Sequence, residues 1–72
     1  MSSRFAHVFT VRDILAVVER IRAVSGDDEH AHGLEDDLHQ RVLELVAQGK
    51  AGPDEASAAL QTKSIEFSRW AA

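Results

Sequence analysis

The sequence predicts an all-α fold, a compact bundle of three to four short helices in a single small domain over residues 1–72. Two observations lead there. Apolar residues recur at helical spacing through two long stretches. Capping and stopping residues separate those stretches into segments of ordinary helix length, joined by tight connections. The chain shows no internal repeat and no low-complexity linker.

Residues 1–9 form an irregular N-terminal arm, with Phe5, Val8 and Phe9 expected to pack back onto the body. Thr10 is a good N-cap, and Asp13 three residues on is a weaker capping-box partner. Val11, Ile14, Val17, Val18, Ile21 and Val24 then follow at helical spacing, predicting a helix over about 11–24 that stops at Ser25-Gly26.

Asp27 or Asp28 caps a second helix, predicted over about 28–48, whose apolar stripe is Ala31, Leu34, Leu38, Val42, Leu45 and Val46. Its early acids suit the positive end of the helix. Gly33 interrupts it at a cost of about 1 kcal/mol relative to alanine, so either the first turn frays or another backbone approaches there. Gly49 ends it. Pro53 at the first helical position, followed by Asp54 and Glu55, opens a third helix over about 53–62, with Ala56, Ala59 and Leu60 as buried candidates. The remainder, SIEFSRWAA, reads as a short fourth helix over 64–70 in preference to an extended tail.

The composition bounds the function. Twelve acids oppose eight bases for a net charge of −4, and Asp27–Leu38 holds six acids and no lysine or arginine. Such a face repels a phosphate backbone and attracts a basic partner or a cation. A small DNA-binding regulator, with Gln61–Ser64 as the start of a reading helix, is an alternative that this charge opposes, and nucleic acid is not the expected partner. The chain has no cysteine, hence no disulfide and no thiolate metal site. The opening MSSRFAHVFT lacks a signal-peptide pattern, and the longest apolar run, ILAVV, is far short of a membrane span. A soluble protein that stays where it is made, with no membrane partner, is the expectation. Small chains without staples often gain stability by self-association, so a homodimer is expected too.

The polar cluster of the second helix is the main site candidate. At about 100° per residue, with Ala31 at zero, Glu35 falls at about 40°, His39 at about 80°, His32 at about 100° and Asp36 at about 140°. His32, Glu35 and His39 thus share one flank of the apolar stripe. The plain reading is a solvated helix edge. Against it, an acid so near the stripe should be partly buried, and a buried carboxylate needs a partner. A divalent-metal site using His32, Asp36 and His39 is the sharper alternative. However, one straight helix surrounds a metal poorly, and these histidines are seven apart where zinc hydrolases place theirs four apart. No nucleophile or phosphate loop accompanies the cluster, so no catalytic residue, no enzyme activity and no cofactor are expected. In the tail, Ile65, Phe67 and Trp70 read as a lid over one end of the core, or Arg69 and Trp70 as an exposed binding anchor.

The run DDEHAHGLEDDLHQRVLELVAQG followed by ALQTKSIEFSRWAA resembles small uncharacterised proteins of actinobacteriophages and their actinobacterial hosts. The matching positions are Ala31, His32, Glu35, Asp36, Leu38, Val42, Leu43 and Gly49, then Leu60, Thr62, Ile65, Phe67, Arg69 and Trp70. They cover roughly the last two-thirds of the chain; the first helix is only loosely similar. The resemblance implies the cytoplasm of a bacterial host cell and an adaptor that modulates a host protein. It carries no activity and no catalytic residue. Taken together, the two matching stretches place the polar flank of the second helix against the tail, with Glu35 contacting Thr62, Arg69 or Trp70.

Overall fold

In the computed structural model, which describes residues 4–69, the chain is helical throughout its ordered elements. Helix α1 is Val11–Ala23, α2 is Asp28–Ala47 and α3 is Pro53–Leu60, followed at once by a single 3-10 turn, Gln61–Ser64. Each helix packs on the other two, and the 3-10 turn packs on α1 and α3. The radius of gyration, 11.6 Å, is close to the roughly 11 Å of a compact chain this long.

Local chemistry sets the element boundaries. The Thr10 hydroxyl accepts from the Asp13 N–H at 3.1 Å. The Asp13 carboxylate in turn accepts from the N–H groups of Phe9 and Thr10 at 3.0 and 3.1 Å. The capping box is therefore complete, with aspartate in the place glutamate usually takes. Asp27 caps α2, its carboxylate accepting from the His30 N–H at 3.2 Å. At the other end Gly49 takes a φ of +73°. The N–H groups of Gly49 and Lys50 return to the carbonyls of Val46 and Leu45, the two bonds of a Schellman motif. Glu55 accepts from the Gly52 N–H at 2.7 Å and so tightens the turn into α3, behind Pro53.

The core is Ile14, Val17, Val18 and Ile21 from α1, Ala31, Leu34, Leu38 and Val42 from α2, Ala58 and Ala59 from α3, and Ile65 beyond the turn. Phe5 and Val8 join it fully buried, so the N-terminal arm folds back as expected. Arg41 ties that arm down: its Nε donates to the Val8 carbonyl and its Nη2 to the Ala6 carbonyl, both at 3.0 Å. Arg4 pairs with Asp37 at 2.7 Å.

Four expectations need correction. Phe9 is half exposed, its ring lying under the Arg41 guanidinium at 4.7 Å instead of in the core. Val46 and Leu60, expected inside, are 42% and 60% exposed. The proposed fourth helix over 64–70 is absent among the described residues. One 3-10 turn ends at Ser64, Ile65 is extended (φ −83°, ψ 129°), and residues 66–69 are neither helix nor strand. The spacing of Ile65 and Phe67, two apart, is the period of extended chain; Trp70 lies outside the described residues. Finally, no backbone approaches Gly33. A Cβ built there meets nothing within 4 Å.

Gly33 within α2 and Gly49 just past its end should therefore respond in opposite directions. Gly33→Ala should stabilise the fold by about 1 kcal/mol, raising the melting temperature by roughly 4–8 °C for a chain this size. Gly49→Ala, which forces a Cβ into the left-handed region, should destabilise it by roughly 1–2 kcal/mol. Thermal denaturation followed by circular dichroism measures both.

Candidate functional site

Helix α2 splits the predicted cluster into two pairs. Glu35 and His39, four residues apart on one flank, turn inward toward the segment after α3. His32 and Asp36, one step further round, pair with each other on the outside: Nε2 to Oδ1 is 3.5 Å, with the Asp36 side chain 65% exposed.

Glu35 is buried, only 2% exposed, and its partner is the tail. The Arg69 guanidinium grips it with two parallel bonds, Nε to Oε1 at 2.8 Å and Nη2 to Oε2 at 3.1 Å, the bidentate geometry that suits a planar cation. Lys63 Nζ adds a longer contact at 3.8 Å. Arg69 Nη2 also reaches the carbonyls of Thr62 at 2.8 Å and Ile65 at 3.1 Å. The guanidinium thus adds a second bond to the Thr62 carbonyl, which already accepts from the Ile65 N–H at 3.0 Å, and takes up the Ile65 carbonyl beyond the turn. It stacks on the Phe67 ring at 3.8 Å. One residue back, the Ser68 N–H donates to the Asp28 carboxylate at 3.0 Å, pinning the tail to the first turn of α2.

His39 completes this clasp from the other side. Its Nε2 lies 3.1 Å from the Ala59 carbonyl and 2.9 Å from Thr62 Oγ1. A carbonyl can only accept, so Nε2 carries the hydrogen. The buried Thr62 hydroxyl is 3.1 Å from the same carbonyl. Burial by itself pushes the Glu35 carboxyl up; bonds from Arg69 and Thr62, with the charges of Arg69 and Lys63, outweigh it and hold the group below the ordinary 4.5.

The residues expected to meet do so in part. Glu35 meets Arg69 as anticipated, and His39 meets Thr62. The alternative metal set, His32, Asp36 and His39, does not assemble: His39 Nε2 is committed to the Ala59–Thr62 pair. Among the described residues no group of three histidine, cysteine, aspartate or glutamate side chains is placed to hold a metal ion. Gln61–Ser64 starts no reading helix, being a single 3-10 turn. Trp70, the other half of the expected anchor, lies outside the described residues. No helix among the described residues is long and apolar enough to cross a membrane.

Sequence reasoning passed over an apolar groove beside the clasp. His39, Val42 and Leu43 of α2 and Ala56, Ala59 and Leu60 of α3 line a cavity of about 290 Å³. Leu43 and Leu60 stand on its edges 68% and 60% exposed. The two alanines make the depression, and His39, tied to the Ala59 carbonyl, forms part of the wall. One signal for it was present. Leu43 falls about 120° from Ala31, a leucine well off the buried stripe.

No family model, curated protein or solved structure matches the chain.

Two outcomes test the clasp. Arg69→Leu should destabilise the fold by about 3 kcal/mol, because it strands a buried carboxylate. Glu35→Leu combined with Arg69→Leu should recover part of that loss in chemical denaturation. Secondly, because the folded Glu35 holds its proton less tightly than the unfolded one, its contribution is complete above about pH 4.5 and lost as pH falls through the lower folded value. Asp13, held below its ordinary 3.8 by the Phe9 and Thr10 N–H groups, acts in the same direction. Melting temperature between pH 6 and pH 3 should fall more steeply for the native chain than for Glu35→Gln.

Proposed function

We propose that this chain is a non-enzymatic protein–protein interaction module that receives its partner at the groove between α2 and α3. The observation that carries this reading is the pair of exposed leucines, Leu43 and Leu60, flanking an apolar cavity on a chain this small. Exposed apolar side chains scattered singly are ordinary; two of them bordering one groove support reading it as a contact surface. The clasp supports the reading from behind, because it holds the His39 wall in place. A preorganised surface loses less on binding than one that must first be ordered.

The setting we propose is that of a phage-type accessory protein acting by contact on a bacterial host protein in the cytoplasm. It rests on the resemblance of the last two-thirds of the chain to small actinobacteriophage proteins. The groove lining holds no acid, so apolar contact leads the interaction and the net charge of −4 acts only around its margin.

A photo-crosslinking residue placed at Leu60, in the full chain expressed in bacteria, tests the surface directly. Discrete adducts are expected from Leu60. They should disappear when Leu43→Asp is added, and the same crosslinker at Glu19 on α1 should give none. Equal labelling from both positions, or adducts that survive Leu43→Asp, would show that the groove is not the contact.

A further inference from the structure

Resting on that reading of the groove, we infer that its occupant is a second copy of this chain, with the two α2 helices packed antiparallel about Leu43. The face carries both parts of a self-complementary joint. Leu43 and Leu60 stand proud on it, and the cavity of about 290 Å³ lies between the same two helices. Under a two-fold axis at Leu43 the two Leu43 side chains meet, and each apolar face covers the other by symmetry.

Charge decides between occupants and between orientations. A chain of net charge −4 repels itself at most contacts. Around these leucines it does not. One turn to either side of Leu43 are His39, Gln40, Val46 and Ala47; beside Leu60 are Ala56, Ser57 and Gln61. None of these is an acid. The first ionic groups along the stripe are Asp36, seven residues before Leu43, and Lys50, seven after it in the turn that closes α2. Both are exposed. Seven residues are close to two full turns, so Asp36 shares the Leu43 face, and Lys50 lies just past its C-terminal end. The midpoint of the acid and the base is Leu43 itself. Antiparallel packing about that residue therefore brings Asp36 of each copy to Lys50 of the other, making two ion pairs. Parallel packing would set acid on acid and base on base. An unrelated partner would have no reason to match this spacing.

Sedimentation equilibrium of the purified chain, from micromolar to millimolar at low salt, tests the inference. We expect a monomer–dimer equilibrium that Leu43→Asp abolishes while circular dichroism keeps the helical signal. Asp36→Lys alone and Lys50→Asp alone should each weaken the dimer by roughly three- to tenfold, the range for exposed ion pairs. The double swap should restore it. A chain monomeric at millimolar concentration, or a dimer indifferent to Leu43→Asp, overturns the inference. So does a dimer that neither single swap weakens, because parallel packing predicts that indifference. Failure here is separable from failure of the groove reading: Leu60 adducts to other proteins from a chain that stays monomeric would retain the surface and replace its occupant.

Discussion

A carboxylate among leucines is the constraint around which the lower half of the molecule is arranged. Glu35 sits on α2 between Leu34 and Leu38, all three essentially removed from solvent. Taking an ionised acid out of water costs several kcal/mol, and only a well-placed cation with further hydrogen bonds offsets that. Arg69 supplies the cation, and its position determines much else. Its Nη2, which also serves Glu35, shares its hydrogens with the carbonyls of Thr62 and Ile65, and its Nη1 reaches the Phe67 carbonyl at 3.4 Å. The chain is thereby held extended after the 3-10 turn. Thr62, drawn in beside Glu35, meets His39, and His39 becomes part of the wall of the groove. A hydrophobic pair in place of Glu35 and Arg69 could fill the same space, but it would not fix which carbonyls the tail presents or where the imidazole points.

The two flanks of α2 divide the work. On one, Arg41 and Asp37 hold the N-terminal arm through Ala6, Val8 and Arg4. On the other, Glu35 and His39 hold the C-terminal segment. The central stripe goes to the core. One helix thus gathers both terminal segments onto itself. In a chain without cysteine, two arginine clamps hold residues 6–8 and 62–69 against the helices. The second flank is covered only along its N-terminal half; toward the C-terminal end the cover stops and Leu43 and Val46 emerge.

That partial cover also explains which features could be read beforehand. Periodicity identified the three helices and most of the core, because the apolar stripes of α1 and α2 are long and their caps, Thr10, Asp27, Gly49 and Pro53, are chemically distinctive. The meeting of Glu35 with the tail was legible too, since an acid about 40° from the stripe centre must find a partner and the tail carries an arginine. Exposure at Val46 and Leu60 was not. A helical wheel says which face is apolar but not how far a neighbour extends. Val46 lies in the last turn of α2 and Leu60 is the last residue of α3; both stand at helix ends, 42% and 60% exposed. The conformation of residues 65–69 was misread for a related reason. Their backbone groups are satisfied by Asp28 and Arg69, side chains that no local propensity takes into account. The Arg41 clamp left no pattern in the sequence beyond a lone basic residue opposite His39.

The clasp joins positions 35 and 69, and this has a consequence for how the protein is made. Glu35 leaves the ribosome well before its counterion does. A nascent chain that already contains all three helices still has nothing to neutralise that carboxylate, so the helices can associate only loosely around a hydrated acid. Final tightening around the acid waits for the arginine to emerge, 34 positions after Glu35, and leaves the chain open to chaperones and proteases until then.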